Sequence, residues 1–220
     1  MNLSDSSLPI GRFAHSYGVE PLVIAGMIGD CESLSRYVMT NLTECVAPTD
    51  GVATFWSHKY FVEGNYEALH GVDRLLTCLK LCSSARLASE SSGRELLRFL
   101  ISIQISKELH KVFNQILEGR SRGNVAVVFG VATAAFGLTA TEAVLMEMRS
   151  ASWGMLSAAV RLGLISAGNA QSILFRSAPA LEEAAWIAAN TGLEAMETGL
   201  PDAEVFYLRH RYRHGRNFSN

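Results

Sequence analysis

The segment DSSLPIGRFAHSYGVE occupies residues 5–20 and is the most informative stretch of this chain. Pro9 fixes its backbone φ and Gly11 tolerates a positive φ, so the Leu-Pro-Ile-Gly run predicts a defined bend. Another glycine, Gly18, follows, and an apolar helical run begins at Glu20. We call residues 5–20 the N-terminal motif and expect it to lead the chain into its first helix.

The remainder of the chain has an all-helical pattern. It contains 5 prolines, no long alternating apolar–polar run, and many apolar residues spaced three or four apart. No internal repeat or low-complexity linker divides it, so we predict a single all-α, multi-helix domain over residues 1–220. The predicted helices are 20–29, 31–46, 52–62, 66–81, 83–118, 125–136, 141–162, 170–175 and 180–190.

Four sequence features predict breaks between or within these helices. Pro48-Thr49-Asp50-Gly51 predicts a break, with Thr49 or Asp50 capping the next helix. Gly64-Asn65 predicts a second break, and residues 119–124 a loop of small and basic residues. Ser91-Ser92-Gly93 is a candidate interruption of the long helix 83–118.

Composition narrows the classes of partner. Hydrophobic residues make up 49% of the chain and charged residues 18%, a balance that favours burial of apolar surface against a partner or a second copy. A net charge of −2 gives no general basic field, so nucleic acid is not favoured as a partner.

Targeting signals are not evident in the sequence. The N-terminus has no basic run before an apolar run, so we expect no signal peptide. The apolar centre of the longest uncharged span, residues 125–138, is about 14 residues long, whereas a bilayer needs roughly 20. We therefore interpret this span as a buried helix and expect no membrane association.

Four cysteines lie scattered in apolar context at positions 31, 45, 78 and 82. Without an export signal, we interpret them as reduced thiols of the core. Cys78 and Cys82 are four apart, a helical spacing that can serve a metal, but no histidine or carboxylate pair accompanies them in sequence.

Residues 119–123, GRSRG, match the G-x-S-x-G pattern of serine hydrolases. That motif requires a strand before the serine and a helix after it, whereas the residues preceding Gly119 are predicted helical. We interpret the segment as a surface loop, and a nucleophile at Ser121 remains the alternative. His15, in the N-terminal motif, is either a hydrogen-bonded structural histidine or a ligand or base.

The C-terminal residues 207–220 form a basic tail. His210 and His214 are four apart and could hold a divalent transition metal, but four arginines surround them and would repel a dication. The tail suits an acidic protein surface better; a disordered tail and a metal site remain open.

Arg161 ends an apolar helix, where it either caps the helix or faces a partner. No P-loop, zincin or dinucleotide motif occurs.

The N-terminal motif resembles the opening signature of the UreF-type urease accessory proteins, D-S-x-L-P-x-G-x-[FY]-x-H-S-x-G-[LV]-E. Later blocks that resemble the family occur in the same order, at residues 88–97, 124–138, 158–162 and 210–218. Departures from the family pattern fall at Arg12, residues 164–167, Arg211 and Asn217. We expect the partner surfaces built by the loop after Arg161 and by the tail to differ.

The resemblance implies an all-helical, cytoplasmic homodimer without a catalytic site or a cofactor of its own. Such a protein assembles with a UreD/UreH-type accessory protein, recruits the GTPase UreG, and assists nickel insertion into the urease apoprotein. The alternatives are a small helical hydrolase using Ser121 or His15 and a stand-alone nickel-binding protein using His210 and His214. The residues expected to dock partners are Gly11, His15, Glu20, Arg161, His210, Arg216 and Phe218.

Overall fold

The regular elements of the structure, a computed structural model that describes residues 17–197 and 199, are all helical. The all-α class predicted from the sequence is therefore confirmed. In chain order the helices are α1 (Val19–Ile24), α2 (Cys31–Asn41), a π-helix (Leu42–Gly51), α3 (Val52–Val62), α4 (Tyr66–Leu79), α5 (Ser83–Ser102), α6 (Leu109–Leu117), α7 (Val125–Ala135), α8 (Ala140–Arg161), α9 (Ala167–Arg176), α10 (Ala178–Asn190) and a short 3-10 turn (Leu193–Ala195).

Helix α7 lies at the centre of the core, which confirms the buried helix predicted there. All its residues from Val125 to Thr133 are buried, and α3, α5 and α8 pack around it. Gly130 allows the closest of these approaches, because a Cβ at that position would lie 2.4 Å from the Thr54 carbonyl oxygen of α3. Thr54 Oγ1 in turn donates to the Ala126 carbonyl at 3.0 Å. No helix in the described residues combines the length and apolarity needed to cross a bilayer.

Local sequence sets where several helices begin. Asp30 accepts a hydrogen bond from the Ser33 amide at 2.8 Å and starts α2 with a reciprocal capping box. Thr139 and Glu142 form the same arrangement at the start of α8. Asn65 caps α4 by accepting from the Ala68 amide, so the break predicted at Gly64-Asn65 is confirmed.

The break predicted at residues 48–51 is wrong, because the chain stays helical from α2 through the π-helix into α3. The Val52 amide donates to the Ala47 carbonyl five residues earlier, the spacing of a π-helix. Neither proposed cap residue caps α3: Thr49 Oγ1 donates to the Cys45 carbonyl, and Asp50 pairs with Lys80 Nζ at 2.8 Å. The wider turn accommodates the proline that the sequence pattern treated as a stop.

The single helix predicted over residues 83–118 is also wrong. Helix α5 ends at Ser102, the chain passes through Gln104 with φ 56°, and α6 begins at Leu109. A positive φ at a non-glycine residue is incompatible with a continuing helix. The candidate interruption at residues 91–93 is helical instead and lies within α5.

The cysteines are less uniformly buried than predicted. Cys82 is buried, but Cys78 is exposed and Cys31 and Cys45 are only partly covered. Cys78 lies on the solvent side of α4, which its apolar neighbours in sequence did not reveal.

Candidate partner-binding surfaces

The described end of the N-terminal motif holds α1 against α8 and α2. Gly18 adopts φ 81° at the N-cap of α1, a conformation that suits glycine. The Tyr17 ring lies directly over Gly154 of α8, where a Cβ would be 2.6 Å from a ring carbon. Tyr37 Oη donates to the Tyr17 carbonyl at 2.7 Å. The preceding residues of the motif, including Gly11 and His15, lie outside the described residues.

Glu20 and Arg161 occupy different environments in this helix pair. Glu20 is fully buried in α1, whereas Arg161 is an exposed residue at the end of α8. Seven residues of α8 separate Arg161 from Gly154, which corresponds to about 10 Å along the helix. Arg161 Nε donates to the Ser157 carbonyl at 3.4 Å, and partial burial lowers the pKa of its guanidinium. The group remains a cation at neutral pH and combines a weak cap with an exposed charge.

The C-terminal segment returns to the π-helix before the basic tail begins. The Gly199 amide donates to the Glu44 carbonyl at 2.8 Å. A carbonyl oxygen has two lone pairs, so the Glu44 carbonyl can accept this bond while it belongs to the π-helix. The tail residues 207–220, with His210, His214, Arg216 and Phe218, lie outside the described residues.

Two exposed aromatic side chains on α9 and α10 form a feature that the sequence interpretation missed. Phe175 is 84% exposed and Trp186 is 67% exposed, on opposite sides of the Ser177 junction between the helices. Arg176, Glu182 and Glu183 are exposed on the same two helices. Large aromatic residues at solvent positions of amphipathic helices are the signal that could have identified this surface.

A buried carboxylate, that of Asp73 in α4, organises the loop between α6 and α7. It accepts hydrogen bonds from the backbone amides of Arg122, Gly123 and Asn124, two of them at 2.9 Å. It also accepts from Ser121 Oγ at 2.6 Å and from Asn124 Nδ2 at 2.8 Å. Backbone amides converging at the start of α7 stabilise a negative charge there, so Asp73 fixes the 118–124 loop.

The family-like block in α5 supports the same loop from the other side. Ser89 Oγ accepts from the Val125 amide at 3.2 Å, and Arg94 donates to the Arg122 carbonyl at 3.5 Å. Gly93 lies against the loop backbone: a Cβ there would be 2.0 Å from the Gly123 carbonyl oxygen. The serine, glycine and arginine of this block thus serve packing of α5 against the loop.

Ser121 does not have the surroundings of a hydrolase nucleophile. The element before it is the helix α6, and Ser121 is buried rather than on a surface loop as predicted. Its hydroxyl donates to Asp73. The buried histidine one turn from Asp73, His70, makes no hydrogen bond through either ring nitrogen within residues 17–197 and 199, so no serine–histidine pair forms there.

Metal-ligating side chains do not converge in the described part of the chain. Cys78 and Cys82 are not joined there by further ligands, since those residues contain no group of three or more His, Cys, Asp or Glu side chains placed to hold an ion. His210 and His214 lie outside this part, so the metal alternative for the tail stays a prediction.

The fold and these sites define an all-helical protein in which the described motif residues serve packing and the exposed cation and aromatic residues offer binding surface. The family model for UreF matches residues 28–178. The urease accessory protein UreF of Trichodesmium erythraeum is 30% identical over 220 residues, covering 100% of this chain and 95% of the relative. Those of Yersinia enterocolitica and Yersinia pestis are 29% identical, covering 100% of this chain and 96% of each relative. The chain belongs to the UreF family of urease accessory proteins.

Proposed function

We propose that this chain is a non-catalytic scaffold in nickel delivery to urease. It assembles in the cytoplasm with a UreD/UreH-type accessory protein, recruits the GTPase UreG, and promotes nickel insertion into the urease apoprotein. Membership of the urease accessory family over the full chain carries this proposal. The described motif residues serve packing, which agrees with a scaffold. Such a protein acts through its different affinities for the states of its partners.

The partner surfaces of this scaffold are proposed to lie at the ends of α1 and α8 and along the tail. Arg161 contributes an exposed positive charge that a partner carboxylate can meet. Glu20 is fully buried, so its contribution is to hold α1 in place for the N-terminal motif, with Gly11 and His15, that precedes it. His210, Arg216 and Phe218 belong to the tail, which follows the anchor between Gly199 and Glu44.

Replacing Arg161 tests the function at an exposed position. Arg161→Ala is expected to weaken the affinity for the partner by about 30-fold, the effect of losing a central interface arginine worth about 2 kcal/mol. Urease activation and UreG retention should both fall as a result. The measurement is urease activity in nickel-supplied cells carrying the urease genes, together with UreG retention on the purified complex.

Arg149→Ala is the matched control, because Arg149 is also exposed on α8. It should leave both readouts near wild type while circular dichroism shows unchanged helix content in the two variants. Equal activation by the Arg161 and Arg149 variants would remove Arg161 from the proposed surface.

We propose further that the chain forms a homodimer through the exposed aromatic residues of α9 and α10. Phe175 and Trp186 are the two aromatic residues among the exposed large apolar side chains of residues 17–197 and 199. Exposed charges of both signs flank them: Arg176 on α9, and Glu182 and Glu183 on α10. A twofold contact brings the same surface of two copies together, so opposite charges on one surface can pair across it.

The double variant Phe175→Asp, Trp186→Asp is therefore expected to be monomeric. Losing two aromatic anchors that the dimer would bury, at roughly 2 kcal/mol each, weakens dimerisation by about 1,000-fold. Light scattering after size exclusion measures the mass. Leu87→Asp is the control, since Leu87 is 63% exposed on α5, a helix outside the proposed surface. A double variant that keeps the dimer mass would place the interface elsewhere.

A further inference from the structure

His70 is a buried histidine with unusual surroundings. It lies in α4 and is 2% exposed, and neither ring nitrogen has a partner among the described residues. The side-chain oxygen of Gln115 in α6 is likewise buried without a partner there. Buried polar groups without partners are few in folded proteins, and each calls for a physical explanation.

Helices α4 and α6 approach each other through side chains at this point. Lys111 Nζ lies 5.5 Å from the centre of the Tyr66 ring, and Gln115 lies beside His70. Each pair of residues is four apart along its own helix, so the two helices run in the same direction here. The backbone carbonyl of Gln115, as distinct from its side-chain oxygen, accepts hydrogen bonds from the Arg120 and Ser121 amides at 2.9 and 3.3 Å. The contact at His70 is therefore connected through α6 to the 118–124 loop.

The surroundings favour the neutral imidazole. Burial is the largest influence and lowers the pKa of His70, while Gln115, Glu67 and Asp73 act in the opposite direction and Arg74 adds to the lowering. The Asp73 carboxylate already accepts five hydrogen bonds, which leaves it little capacity for an imidazolium. The elements around His70 carry further titratable groups. These are Lys111 and His110 on α6 with Glu108 at its N-cap, Glu118, Arg120 and Arg122 on the loop, His58, Lys59 and Tyr60 on α3 with Glu63 at its C-cap, and Glu44 and Asp50 on the π-helix, of which Asp50 pairs with Lys80.

We propose that His70 is an acid-sensitive latch, whose protonation opens the contact between α4 and α6 and releases the 118–124 loop. An imidazolium carries two N–H donors, and the side-chain oxygen of Gln115 is an unused acceptor beside it. The second donor must reach water, which requires α6 to move away. At a pH above the ordinary imidazole pKa of about 6.5, the ring is neutral in both the closed and the open state. As the pH falls below that value, the open state binds the proton before the closed state does.

Hydrogen exchange on the full chain tests this latch. Between about pH 7.5 and about pH 5.5, the opening constant of residues 109–124 is expected to rise by up to about tenfold, because the ordinary pKa near 6.5 lies one unit above the lower pH. Exchange is followed by mass spectrometry and corrected for the intrinsic pH dependence of amide exchange. No excess opening at the lower pH would overturn the proposal.

Three variants separate His70 from other titrating groups. His70→Gln should abolish the acid-dependent opening, whereas His110→Gln, which removes an exposed histidine of α6, should keep it. Gln115→Glu places a carboxylate beside the ring, so acid should then open the contact less than in the wild type. Retention of the full pH effect in His70→Gln would contradict the latch. If that variant fails to fold, an NMR titration of His70 in the wild type decides, with a midpoint at or above 6.5 as the contradicting result.

Discussion

Gly93→Ala is expected to destabilise the protein by about 3 kcal/mol or more, although alanine is the better helix former. The new Cβ would lie 2.0 Å from the Gly123 carbonyl oxygen and 2.9 Å from the Asn124 carbonyl carbon and the Val125 amide nitrogen. All three are backbone atoms, so no side chain can rotate away. Helix α5 must separate from the loop, which weakens the Ser89 bond to Val125. For a chain of this size the melting temperature should fall by roughly 6–12 °C.

Gly71→Ala is the matched control for this substitution. Gly71 lies inside α4, and a Cβ there would meet no atom within 4 Å. The free energy of unfolding should therefore rise by about 0.5–1 kcal/mol from helix propensity alone. Thermal and urea unfolding followed by circular dichroism measure both variants. If Gly93→Ala were as stable as Gly71→Ala, the close contact between α5 and the 118–124 loop would be refuted.

Asp73→Ala is expected to cost at least about 3 kcal/mol, because each buried donor left without an acceptor costs about 1–3 kcal/mol. The carboxylate accepts five hydrogen bonds from the loop and from Asn124, which is fully buried. Its removal leaves the start of α7 without these acceptors. Hydrogen exchange in residues 118–128 should rise more than in α2, and urea unfolding should give the loss in free energy.

Two further variants test whether the charge or the shape of Asp73 matters. Asp73→Asn keeps the volume and one acceptor oxygen but points an NH₂ group at donors, so its loss should approach that of Asp73→Ala. Asp30→Ala removes an exposed carboxylate that caps α2 and should have a clearly smaller effect. Equal losses for Asp30→Ala and Asp73→Ala would contradict the central role given to Asp73.

The sequence predicted those helices well whose ends are set locally. The prediction for α3 has the observed bounds, Val52–Val62, and those for α4, α7 and α8 are within two residues at each end. Caps such as Asn65 and Thr139 bond to the first turn of the helix that follows. The residues that set these helix ends are therefore close together in sequence, and the local pattern predicts the ends. Helix α1 ends at Ile24 rather than near Gly29, since Gly26 adopts φ 73°.

Tertiary packing explains the main errors. Proline ordinarily stops a helix, yet the π-helix through Pro48 is held by α10, which approaches Gly51 so closely that a Cβ there would be 2.9 Å from Ala188 Cβ. The salt bridge between Asp50 and Lys80 adds a contact to the end of α4. These partners are distant in sequence, so periodicity within one segment could not reveal them.

The candidate site was predictable only in part. The G-x-S-x-G match at residues 119–123 was correctly assigned to a loop between helices, but its burial depends on Asp73, which is about 50 residues away in sequence and carries no motif. Arg161 is exposed at the end of α8. Of its two predicted roles, helix capping and contact with a partner, the second requires this exposure. The exposure of Phe175 and Trp186 was not predicted, because apolar residues at helical spacing are ordinarily assigned to the core.

The most direct test of the scaffold proposal is the mass of the complexes that the chain forms. Size exclusion with light scattering is run on the protein alone, with its cognate UreD-type protein, with UreG, and with both. We expect a dimer alone, a larger complex with the UreD-type protein, and UreG in that complex only when the UreD-type protein is present. A chain that remains monomeric and elutes unchanged in all four samples would contradict the proposed function.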